Sequence, residues 1–175
     1  MVRSALYGLL VFVVFTACSR PDEFFLESGT AGPFHLHMPL DEALQIANNR
    51  YRVDTTTITL EGMESVAYDI WLDEELLLKL EPDFDHREKL WRMWVFSPRY
   101  RTDRGIGVGS SIQEVLSHYR LDFLQTEGEG FVFLRLKETD MGFALDSDAL
   151  TLDWWEAGAR FEEIPPDTRV VFILP

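Results

Sequence analysis

The stretch "SPRYRTDRGIGVGSSIQEVLSHY", residues 97–119, decides how the chain divides. Glycines at 105, 107 and 109 alternate with Ile106 and Val108 and lead into Ser110 and Ser111. Gly-rich turns that open helices often hold phosphate, because unpaired backbone N–H groups and the helix dipole converge there. This one lacks the partners that phosphate needs. A P-loop places Lys and Ser/Thr after its last glycine, and no Lys follows Gly109. A dinucleotide fingerprint needs a glycine where Ser110 stands, and a parallel strand in front of it. The structural reading fits better. Ile106 and Val108 point into a core, Ser110 or Ser111 can cap the helix that follows, and Ser111 with Glu114 has the S-x-x-E spacing of a capping box. Ile112, Val115, Leu116 and Tyr119 then form the apolar stripe of a helix.

Outward from this helix the chain reads as strands. Downstream, "LDFLQTE", "GFVFLRLKE", "MGFALDS" and the closing "TRVVFILP" are strand candidates. Turns are expected around Gly128-Glu129-Gly130 and Asp140-Met141-Gly142. Upstream, "PLDEALQIANNRY" is a second helix candidate, with Pro39 at the first position and Asp41 and Glu42 in the first turn, where the dipole favours acids. Four strand candidates follow it: "YRVDTTTITL", "ESVAYDIWL", "ELLLKLE" and "HREKLWRMWVFSP", the last stopped by Pro98.

The two halves can be laid on each other. Phe34–Leu44 matches Ile106–Leu116 with apolar positions coinciding and Glu42 on Glu114, and Trp94–Pro98 matches Val171–Pro175. The order and spacing predict an α+β protein of two tandem units, each one helix packed on an antiparallel sheet of about four strands. The expected division is a leader at 1–17, a tether at 18–33, interrupted by Phe24, Phe25 and Leu26 so that part of it can pack against the domain, a first unit at 34–99 and a second at 100–175.

The leader rests on the N-terminus. One positive charge, Arg3, precedes an apolar run from Ala5 to Ala17, short of the roughly 20 residues of a spanning helix. It has the length and the small-residue end of a secretory signal. Phe15-Thr16-Ala17-Cys18 resembles a bacterial lipobox, with Phe where Leu is usual. The resemblance implies cleavage before Cys18 and diacylation of its thiol, at about 0.8 kcal/mol of membrane affinity per buried methylene. Cys18 is the sole cysteine, so it is the lipidation candidate and no disulfide is expected. With Ser19 after it, the resemblance implies the periplasmic face of the outer membrane in a Gram-negative envelope.

The formal charge is −14, one unit more negative without Arg3, and there is no Lys/Arg cluster to offset it. Such a surface repels nucleic acid, so no nucleic-acid partner is expected. With 46% hydrophobic residues the chain can build an apolar core instead of a stapled one.

Gly105-Ile106-Gly107-Val108-Gly109-Ser110 with Glu114-Val115 is similar to a stretch in small outer-membrane assembly lipoproteins. Secreted β-lactamase-inhibitor-like proteins carry the same unit twice. The first half departs from the pattern, with Met38-Pro39 where Gly-Ser is expected. The resemblance implies protein–protein contact through a sheet face, without catalysis.

Other chemistry is thin. His35 and His37 share one side of an extended segment, but His86 and His118 lie elsewhere and no H-E-x-x-H occurs. The acidic stretches Asp83-Asp85-Glu88 and Asp146-Asp148-Asp153 lack the glycine and final Glu of a calcium loop. Ser110 and Ser117 have no triad around them, and no G-x-S-x-G occurs. No catalytic residue, metal or cofactor is therefore assigned. Trp154 and Trp155 stand side by side in "SDALTLDWWEAGARFEEIPPD", and adjacent side chains diverge, so this pair is the candidate interface. The expectation is a non-enzymatic, lipid-anchored envelope protein that binds a protein partner. The alternative is a periplasmic receptor for a small ligand or peptide.

Overall fold

The structure is a computed structural model that describes residues 22–60, 63–126, 131–146 and 160–175. Cys18, Trp154 and Trp155 lie outside the described residues.

The described chain is mostly β. It opens with a three-stranded meander of two-residue strands: β1 (Leu26–Glu27), β2 (Thr30–Ala31) and β3 (Phe34–His35). Helix α1 (Leu40–Asn48) follows, then β4 (Arg52–Leu60), β5 (Met63–Leu72), β6 (Glu75–Pro82) and β7 (Leu90–Val95). The stretch around Gly107 leads into α2 (Ile112–His118), then β8 (Leu121–Thr126), β9 (Val132–Leu136), β10 (Thr139–Leu145), a 3-10 turn (Phe161–Glu163) and β11 (Val170–Leu174).

Two tandem units, each a helix on its own sheet, are not what the chain forms. β4 to β11 make one antiparallel sheet of eight strands in the order β4-β5-β6-β7-β11-β10-β9-β8. The join is Val95 opposite Ile173, which puts the closing strand of the chain beside β7. The physical reason is edge pairing. Two separate sheets would each leave a row of unpaired backbone groups at β7 and β11, and pairing those strands removes both edges. The core is shared too. Ala43 and Ala47 of α1, Ile112 and Val115 of α2, and Ile70, Leu78, Leu80, Val95, Leu134, Phe143 and Ile173 of the sheet belong to one buried cluster.

The segment expected to be a tether contributes to that cluster from residue 22 on. Leu26, Ala31 and Phe34 are fully buried, and Phe24 packs edge-on against buried Tyr100 with centroids 5.4 Å apart. The amide of Leu26 donates to the carbonyl of Arg101, and that of Arg101 donates to the carbonyl of Phe24.

The glycine run behaves as its residue types require. Gly105 and Gly109 have φ of +77° and +85°, which favour glycine. A Cβ on Gly107 would stand 2.2 Å from the carbonyl oxygen of Tyr100. Between them Ile106 and Val108 are buried. Ser111 caps α2: its hydroxyl accepts from the amide of Glu114, and the Glu114 carboxylate accepts from the amide of Ser111 at 2.7 Å. Among the described residues no helix is long and apolar enough to cross a membrane.

Candidate protein-interaction face

Strand residues alternate between the two faces of the sheet. The helices put their buried residues into the shared core on one face. The other face holds a second, smaller apolar cluster: Phe133, Ala144 and Phe172, with Trp94, Phe96, Phe131 and Leu174 packed against them. Register builds this cluster from separate strands. Phe133 of β9 stands opposite Ala144 of β10, which stands opposite Phe172 of β11. The β7–β11 join brings Trp94 to 5.0 Å from Phe172 and Phe96 to 5.9 Å, centroid to centroid, and Phe131 meets Phe172 edge-on at 5.0 Å. Small residues on β10 make the room. A Cβ on Gly142 would come within 3.0 Å of an Arg135 guanidinium nitrogen and 3.2 Å of the Phe133 ring.

Beside the aromatics runs a charged ladder. The Glu81 carboxylate is 4% exposed, and it accepts from Arg92 Nε and from Trp94 Nε1, both at 2.7 Å. The Arg92 guanidinium lies 4.5 Å from the Trp91 ring centroid and 4.9 Å from that of Trp94. A buried carboxylate is tolerated when its oxygens are both paired in this way. On the next strand pair, Lys79 Nζ lies 3.5 Å from Asp69 Oδ1, near enough for attraction although that oxygen accepts no hydrogen bond among the described residues. Arg52 stacks at 4.9 Å over Trp71, whose buried Nε1 has no hydrogen-bond partner among the described residues. Arg135 lies 5.8 Å from the Phe133 centroid and donates to Gln125 Oε1 at 2.6 Å.

In the Lys79–Asp69 and Arg92–Glu81 pairs the cation is the more exposed partner: 23% for each cation against 13% and 4% for the acids. A chain of formal charge −14 thus keeps Lys79 and Arg92 more open on this face than the acids paired with them. Trp91 at 42% exposure and Phe123 at 53% are its most open apolar side chains. Trp and Arg dominate the energetics of protein–protein interfaces, because they combine large apolar area with directed polar groups.

The other sequence candidates fall apart in space. His35 and His37 are exposed, and among the described residues no group of three His, Cys, Asp or Glu side chains is placed to hold a metal ion. Asp83 accepts from the amides of Asp85 and His86, which closes its own loop. Ser117 and His118 do contact, at 2.8 Å between Oγ and Nδ1, on the exposed surface of α2, and both atoms also lie near the carbonyl of Glu114. Sequence reasoning placed Trp91 and Trp94 on a strand but missed Glu81, Arg92, Arg135 and Phe172 as their neighbours. The signal available was the alternation Glu81, Lys79 and Arg92, Trp94, which puts polar and aromatic groups on one face of adjacent strands.

A groove of about 320 Å³ lies between the N-terminal meander and the second half of the chain, lined by Ser28, Thr102, Arg104, Tyr119, Glu138 and Met141. A shallower one of about 620 Å³ runs along α2 past Leu116, Phe161 and Ile164.

No family model matches the chain, and no curated protein sequence matches it. Among solved structures it is similar to the uncharacterized protein yfeY from Escherichia coli, with a TM-score of 0.65 at 14% identity over 87% of this chain and 98% of that one. At that identity the likeness concerns the fold.

Proposed function

We propose that this chain is a lipid-anchored bacterial envelope protein, without catalytic machinery, that binds a protein partner through the outer face of its eight-stranded sheet. The observation that carries the reading is Arg92 stacked between Trp91 and Trp94 and held by buried Glu81, next to the aromatic cluster around Phe172. An arginine fixed in this way has already lost much of its rotamer freedom, so a partner that covers it gives up less entropy on binding. The anchor is Cys18 on the lipobox resemblance, which supports a place at the periplasmic face of the outer membrane.

Two experiments test the two parts. Cys18→Ala removes the thiol, and incorporation of labelled palmitate is expected to vanish; unchanged labelling overturns the anchor. For the face, a photo-crosslinking residue at position 123 in the intact envelope is expected to give a discrete adduct that is lost in Trp91→Ala. Both side chains are exposed, so the substitutions leave the core untouched. An adduct that persists in Trp91→Ala, or none at all, overturns the interface.

A further inference from the structure

We infer that β4 is a docking edge for a second copy of this chain, joined to its own β4 in antiparallel fashion about Thr56.

β4 ends the sheet, and among the described strands only β5 pairs with it. Its nine residues, "RVDTTTITL", contain no Pro, Gly or Lys, the residues that commonly blunt an edge. Its pairing with β5 runs from Arg52 opposite Trp71 to Leu60 opposite Met63 with no register shift. Every other multi-residue pairing of that sheet contains one. The opposite edge, β8, is six residues long and has a shift between Leu121 and Phe123. β4 is thus the long, regular edge, and bulges are among the devices that keep an edge from accepting another strand.

Its sequence suits its own copy. A two-fold axis at Thr56 sets Thr55 of one copy opposite Thr57 of the other, and Thr56 opposite Thr56. Val53 then faces Thr59, Asp54 faces Ile58 and Arg52 faces Leu60. Cross-strand threonine pairs are favourable, and no like charges meet. The charges at this end, Arg52 and Asp54, are paired within one strand at 3.4 Å. An isologous contact of this kind closes on itself and stops at two copies. Each copy carries a formal charge of −14, so repulsion opposes the contact and added salt is expected to strengthen it.

The test is sedimentation equilibrium of the full chain in a density-matched non-ionic detergent, with two paired variants. Thr55 and Thr57 are exposed, so both positions accept charge without touching the core. T55K/T57K sets Lys against Lys across the axis and is expected to weaken dimerisation roughly tenfold. T55K/T57E sets Lys against Glu and is expected to restore it. In parallel, Thr56→Cys is expected to give an interchain disulfide under mild oxidation, because directly opposed residues stand about 4.5–5.5 Å apart. Arg52→Cys is expected not to, since its two copies lie roughly 27 Å apart in this register. A chain that stays monomeric, a ladder of larger species, equal behaviour of the two charge variants, or equal crosslinking at 52 and 56 overturns the inference.

Discussion

Gly107 shows how a single residue type carries the fold. Its backbone passes so close to Tyr100 that any side chain meets the Tyr100 carbonyl, and Arg101 lies within 2.7 Å of the same point. Gly107→Ala is expected to cost about 3 kcal/mol, read as a lowered denaturant midpoint, because the nearest obstructing atom is the backbone oxygen of Tyr100, which cannot rotate away. Tyr51 and Tyr100 make a second residue-scale case. Burial, then the hydrogen bond to Glu23 at 2.5 Å, pushes the Tyr51 phenol up to about 12 from 10.0. Tyr100 is raised as well, by burial first and then by the nearby Tyr51 and Glu23. Both phenols are held neutral, so the stability they contribute is fully present below pH 10 and falls as pH rises through about 12. An alkaline titration followed at the tyrosinate absorption band should show these two ionising together with unfolding. The pattern Glu23, Tyr51, Tyr100 was not legible in sequence, because the three come from segments that only the fold brings together.

At the scale of elements the sequence was clear. The apolar stripe Ile112, Val115, Leu116 and Tyr119 and the Ser111–Glu114 spacing placed α2, and the structure has that helix at Ile112–His118 with both capping hydrogen bonds. The Glu114 carboxyl is held below its usual value, mainly by the amide of Ser111 and then by its hydroxyl. Ser111→Ala removes one half of this reciprocal cap and is expected to destabilise the protein by about 1 kcal/mol in chemical denaturation. The β-branched run "YRVDTTTITL" likewise appears as β4 at Arg52–Leu60, and "ELLLKLE" as β6 at Glu75–Pro82. Local signals suffice here, since helix caps, 3.6-residue stripes and β-branched runs act within one element. The two-residue strands β1 to β3 escaped the reading, because elements that short contain no period to detect.

The whole molecule is where the expectation failed and where its mechanical behaviour is set. Two self-contained units would unfold in two steps. A single sheet with one core across both halves is expected to unfold in one, with far-UV circular dichroism and tryptophan fluorescence giving coincident transitions. Ile173→Ala at the join should cost about 2–5 kcal/mol of stability and lower that single midpoint without splitting it, since Ile173 is fully buried beside Val95. By itself the sequence determined the number of helices, the consecutive strands after each and the glycine entry to α2, because each is written in neighbouring residues. Only the tertiary structure decided that β11 pairs with β7. It also decided that residues 22–35 pack against the core, and that Glu81, Arg92, Trp94 and Phe172 share a face. Those outcomes depend on which strand edges of the chain meet, and the hydrogen bonds of edge pairing are made by backbone groups, so the side chains of one strand do not name which distant strand will lie beside it.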